Sequence, residues 1–114
     1  MTNVTATADQ MISDYAALGN WVGLAGGNPG STPAVANEAS GGSPAYTRQE
    51  TSWLVTGSTA IGSAVTFNVP PGTYSFMIIC SGSSGNNMVD WCSISPQVAT
   101  TQTTITITPL ATAS

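Results

Sequence analysis

A chain of 114 residues with 41% apolar and only 5% charged residues is long enough to bury one core, so a single folded domain over 1–114 is expected and disorder is not. It has no His and no Lys, and Arg48 is its one basic side chain against five acids, for a net charge of -4. One cation cannot neutralise several phosphates, which excludes nucleic acid and a polybasic hold on a membrane; without His or Lys the usual proton acceptors and metal ligands are missing, so no enzyme, cofactor or metal is expected.

In chain order, Ala8, Met11, Ile12, Tyr15 and Leu18 recur at helical spacing and predict an amphipathic helix over about 8–18. Thr7 and Gln10 have the spacing of a capping box, Asp9 falls in the first turn, and Gly19 stops the helix. No basic and apolar leader precedes it, so no signal peptide is expected, and no apolar run reaches the roughly 20 residues of a membrane span. Trp21-Val22-Gly23-Leu24 reads as a strand. Residues 26–44 are almost wholly Gly, Ser, Pro, Ala and Asn: a long loop that either reaches over a neighbouring subunit or folds back on its own domain.

From residue 45 to about 110 the pattern is β-rich, with strands expected over 46–55, 64–69, 73–80, 88–94 and 103–108. Gly57, Pro70-Pro71-Gly72, residues 82–87 and Pro96 punctuate them at the intervals of an antiparallel β-sandwich or small barrel of about six strands; with the helix, the class is α+β, mainly β. Pro70-Pro71-Gly72 reads as a tight turn pairing Val65, Phe67 and Val69 with Tyr74, Phe76 and Ile78. The tail 111–114 is expected to fray without a partner.

Several residues stand out chemically. If residues 81–87 close a symmetrical hairpin, Cys80 lies opposite Cys92 and a cross-strand disulfide is conceivable, although buried free thiols fit cytosolic folding better. Asp90 interrupts an apolar strand, where alternation puts it on one face with Met88, Cys92 and Ile94; that face is either solvated or pairs Asp90 with Arg48. Glu38, Glu50 and Asp90 could in principle supply the pair of carboxylates that a two-carboxylate hydrolase needs, and both glutamates have simpler explanations. Arg48, one strand step from Glu50, is expected to fork onto an acid of its own chain or of a neighbour and to fix where the long loop joins the sheet. Trp21, Trp53, Trp91 and the three tyrosines, Tyr15, Tyr46 and Tyr74, offer either core packing or stacking platforms for a host glycan.

Taken together, Val22-Gly23-Leu24, Asn28-Pro29-Gly30-Ser31, Asn37-Glu38, Ser40-Gly41-Gly42-Ser43-Pro44-Ala45-Tyr46-Thr47-Arg48, Trp53 and the run from Val65 to Thr73 through Pro70-Pro71-Gly72 cover most of the chain. They resemble small tail-fibre-like or minor tail proteins of tailed bacteriophages, especially phages of actinobacteria. The resemblance implies a non-enzymatic, β-rich structural protein on the virion exterior, made in the host cytoplasm. Its partners would be other phage structural proteins and copies of itself, with Arg48, Glu50, Tyr46, Trp21 and Trp53 as interface or structural residues. The chain departs from the family after the Pro-Gly turn, where Phe76-Met77-Ile78-Ile79-Cys80 replaces a Gly-Leu-Trp-type run. Two placements follow, a tail appendage and a capsid decoration protein clamping neighbouring subunits; a glycan-binding module is the third reading.

Overall fold

The computed structural model describes residues 5–112, with side chains from residue 10 onward. Helix α1 (Thr5–Leu18) precedes nine strands among the described residues: β1 (Trp21–Ala25), β2 (Gln49–Glu50), β3 (Trp53–Thr56), β4 (Thr59–Gly62), β5 (Val65–Val69), β6 (Gly72–Cys80), β7 (Met88–Ala99), β8 (Thr103–Ile107) and β9 (Leu110–Thr112). They form three antiparallel sheets, ordered β2-β1-β6-β7, β3-β4-β9 and β5-β8. The fold is mostly β with one helix. The expectation of about six strands falls short because the run over 46–55 breaks at Thr51 into β2 and β3, and because β4 and β9 are too short to announce themselves. Leu110, Ala111 and Thr112 pair with β4 instead of fraying, while 113–114 lie outside the described residues.

The helix begins at Thr5, so Thr7 lies inside it and not at the N-cap; the side chains of Thr7, Ala8 and Asp9 lie outside the described residues. Its amphipathic face is narrower than the spacing predicts. Ile12 is buried and Tyr15 half-buried, but Met11 and Leu18 remain 50% and 57% exposed. The helix packs on β3 and β4, with Tyr15 edge-on to Trp53 at 6.3 Å and the Trp53 indole N–H donating to the Gly19 carbonyl at 2.9 Å. Gly19 follows the last helical residue at a point of close approach: a Cβ there would press on the Cys80 carbonyl, 2.8 Å from its carbon.

The four-stranded sheet is covered on both faces, which explains why Met77, Ile78, Ile79 and Cys80 are all buried with no alternation. On one face Val22, Leu24, Met77 and Ile79 join Val65, Phe67, Val69 and Ile105 of β5 and β8. On the other, Ala25, Ile78, Cys80 and Met88 pack with Trp21, Phe76, Trp91 and Val35, the last supplied by the long loop. That loop therefore lies on its own domain. Gly26 N–H donates to Asn37, Ala39 N–H to Leu24 and Met88 N–H to Pro33, and the Trp91 indole donates to the Gly30 carbonyl at 2.7 Å. Its tip is held by one amide: Gln102 accepts from Ser43 N–H and donates to the Pro44 carbonyl.

The Pro70-Pro71-Gly72 hairpin expectation is corrected. β5 pairs with β8, Phe67 opposite Ile105, whereas β6 pairs with β1 and β7; the turn is a corner between two sheets. The Tyr74 hydroxyl pins that corner by donating to the Pro70 carbonyl at 2.6 Å. Two register irregularities shape β7. One, between Ile79 and Cys80, leaves Val89 without an opposite number, so Met88 moves to the face of Trp91 and parts from Asp90 and Cys92. The other accommodates Pro96, which does not end the strand.

Candidate functional site

Arg48 is the centre of the densest polar cluster. It is 95% buried, and all five of its N–H groups find acceptors. Nε and Nη2 fork onto Glu38 Oε2 and Oε1 at 2.8 and 2.9 Å; Nη1 donates to Asn87 Oδ1 at 2.8 Å and the Gly82 carbonyl at 3.1 Å; Nη2 also donates to the Gly85 carbonyl at 3.0 Å. The Tyr46 hydroxyl donates to Glu38 Oε2 at 2.9 Å and accepts from Leu24 N–H at 3.0 Å. The carboxylate bond holds the guanidinium pKa above its ordinary value, and burial raises that of Tyr46 strongly. The cation thus joins the long loop, the entry to β2 and the 81–87 loop, and Tyr46 ties β1 to the same cluster. A saturated, permanently charged guanidinium has no proton to exchange and no free donor for a substrate, so the arrangement clamps loops.

The other candidates are dispersed. Glu50 does not meet Arg48; it is exposed and accepts from Asn20 Nδ2 at 3.2 Å. Glu38 is the acid that Arg48 reaches, and no sequence signal chose it over Glu50. Trp21 packs against the second core cluster, whereas Trp53 and Trp91 have their indole N–H groups on backbone carbonyls and Tyr15 and Phe76 edge-on against their rings. Tyr46 stacks on Phe67 at 6.1 Å.

A second feature was not read from the sequence. A groove of about 460 Å³ lies between α1, β9 and the β6–β7 pair, lined by Met11, Ile12, Met77, Ile79 and Leu110 with Tyr15, Asp90 and Cys92 at its polar side. Asp90 is exposed, and its Oδ2 accepts the Tyr15 hydroxyl at 2.9 Å. Burial, then this bond, keeps the Tyr15 phenol protonated well above its ordinary range. The two acids at functional candidates thus lie in separate places, Glu38 in the clamp and Asp90 in the groove. Among the described residues no three of His, Cys, Asp and Glu gather as a metal site, and no helix is long and apolar enough to cross a membrane.

The cysteines are not paired. Cys80 sits opposite Met88 and Cys92 opposite Met77, so the symmetrical register that would have faced them is absent. Burial pushes the Cys80 thiol up to about 11, whereas Cys92 is exposed and its thiol is raised by desolvation and by Asp90. A maleimide at neutral pH should therefore modify Cys92 alone, slowly, and reach Cys80 only in denaturant; intact-mass measurement counts the adducts, and rapid double labelling of the folded chain would contradict the buried position of Cys80.

No protein-family model, no curated protein and no solved structure matches this chain.

Proposed function

We propose that the chain is a non-enzymatic structural module on the exterior of a bacteriophage particle, of the tail-fibre or minor-tail type that its sequence resembles. The observation that carries the reading is a row of aliphatic side chains left open across the second sheet. Leu54, Ile61 and Leu110 are in register on β3, β4 and β9 and are 66%, 46% and 61% exposed. On the opposite face α1 packs on β3 and β4, and Ala60 is fully buried. Covering the row contributes roughly 3–4 kcal/mol at the usual transfer value, while association costs at least about 4 kcal/mol. The row alone does not hold a neighbour in free solution; it suits an assembled particle, where several such contacts engage one body together. The chain measures 46 × 25 × 22 Å, a long shape for bridging subunits. With its one basic side chain spent internally, little ion pairing is left at the surface.

Quantitative mass spectrometry of purified virions tests the proposal. Presence at a few copies per particle supports a tail appendage, and abundance comparable to the major capsid protein moves the module to capsid decoration. Attachment should survive about 1 M NaCl, because apolar and backbone contacts are not screened. Absence from the washed particle overturns the reading.

A further inference from the structure

The groove beside α1 is bordered by two strand edges. β7 is the outer strand of its sheet and β9 the outer strand of its own. Side chains alternate across a strand, yet three consecutive residues of each, Asp90-Trp91-Cys92 and Leu110-Ala111-Thr112, line the cleft. That happens when the edge of a strand looks into the space. The edge of β7 is blunted by its bulge at Val89 and by Pro96, whereas β9 is straight over its paired residues and holds no proline. The floor is apolar: Ile12, Met77 and Ile79 are 3%, 7% and 2% exposed.

At the rim stands Asp90. Its oxygens accept the Tyr15 hydroxyl and the Trp91 N–H, two neutral donors, and among the described residues no ion pair reaches it. No basic side chain of the protein can supply one, since Arg48 has all five donors committed to the clamp and the sequence contains no Lys or His. For the same reason a second copy of this chain has no basic side chain to bring to the rim.

We propose that the groove receives one extended segment of a different protein, which adds as a strand to the free edge of β9, lays an aliphatic side chain over Met77 and Ile79, and sets a Lys or Arg against Asp90. Main-chain hydrogen bonds to an edge strand supply affinity and alternate side chains supply selectivity. Two adaptable thioethers, Met11 and Met77, line the space that the aliphatic side chain fills. The inference goes beyond the virion reading; of the named row only Leu110 also lines the groove, so peptide binding and virion attachment can fail independently.

The test is fluorescence anisotropy of the full chain with a short labelled peptide alternating valine with lysine, its counterpart with glutamate in place of lysine, and a version interrupted by proline. Saturable binding of the lysine peptide is expected, weaker by about tenfold for the glutamate peptide and for the Asp90→Asn chain. Asparagine keeps the shape: its Oδ1 still accepts from Trp91 N–H and its Nδ2 donates to the Tyr15 hydroxyl oxygen in place of the bond that Asp90 accepted, and the glutamate peptide needs no variant. Slowed amide exchange within 110–112 on binding would place the strand on β9. The proposal is overturned by no saturable binding, by unchanged affinity in Asp90→Asn, by equal binding of the proline-interrupted peptide, or by an equal loss in Glu50→Gln, which would mark general attraction to an acidic chain.

Discussion

Arg48→Ala should lower stability by about 3 kcal/mol and the melting temperature by roughly 10 °C. The substitution removes five donors at once and leaves Glu38, Asn87 and two carbonyls facing a cavity. Breaking a buried pair costs more than the pair contributes, because the remaining charge stays desolvated; here the Glu38 side chain is 22% exposed, which keeps the cost at the lower end of that range. Arg48→Lys should recover little of it. An ammonium has three donors at one point and cannot both fork onto Glu38 and reach the 81–87 loop. Calorimetry gives the shift, and hydrogen exchange should show faster opening across 26–44 and 81–87 together, because one side chain ties both. A wild-type melting temperature with unchanged exchange would reduce the cluster to solvated polar contacts.

Phe67→Ala should cost about 4 kcal/mol, a large part of the 5–15 kcal/mol that holds a domain of this size. Phe67 is fully buried at the centre of the first core cluster, between β5–β8 and the four-stranded sheet. Its ring also stacks on Tyr46, whose hydroxyl serves both Leu24 and Glu38. The loss should therefore couple to the clamp: the double variant with Arg48→Ala should be destabilised by less than the sum of the two single changes. Thr66→Ala, next door on the exposed face, removes one hydroxyl contact to Thr106 and should cost under about 1 kcal/mol. Urea unfolding midpoints measure all four, and equal midpoints for Phe67→Ala and Thr66→Ala would contradict the sheet arrangement.

The clamp was half legible. Arg48 stands out as the one basic side chain, and such a group in a weakly charged chain must be either solvated or paired. The sequence leaves its partner open between an acid of its own chain and one of a neighbour; the loop folds back and brings Glu38 to it, while Glu50, one strand step away, lies elsewhere. The carbonyls of Gly82 and Gly85 left no trace, since every residue carries a carbonyl and only the fold aims one. The groove was invisible for a related reason: Tyr15 and Asp90 could each be read as a residue, but their contact spans 75 positions.

Composition, β-branched periodicity and turn residues were enough, by themselves, to determine a β-rich domain with one N-terminal helix, because those preferences act within a few residues. Tertiary structure alone decided which strands pair. Val65, Phe67 and Val69 alternate equally well toward β6 or β8; sheet packing and the Tyr74 bond to Pro70 turn the corner and send β5 to β8. It also decided that Met88 leaves the face of Asp90, since one unpaired residue reverses the facing of everything beyond it. The long loop's choice between a neighbour and its own domain was settled likewise, by Val35 in the second cluster and the buried Arg48–Glu38 pair, contacts no local preference encodes.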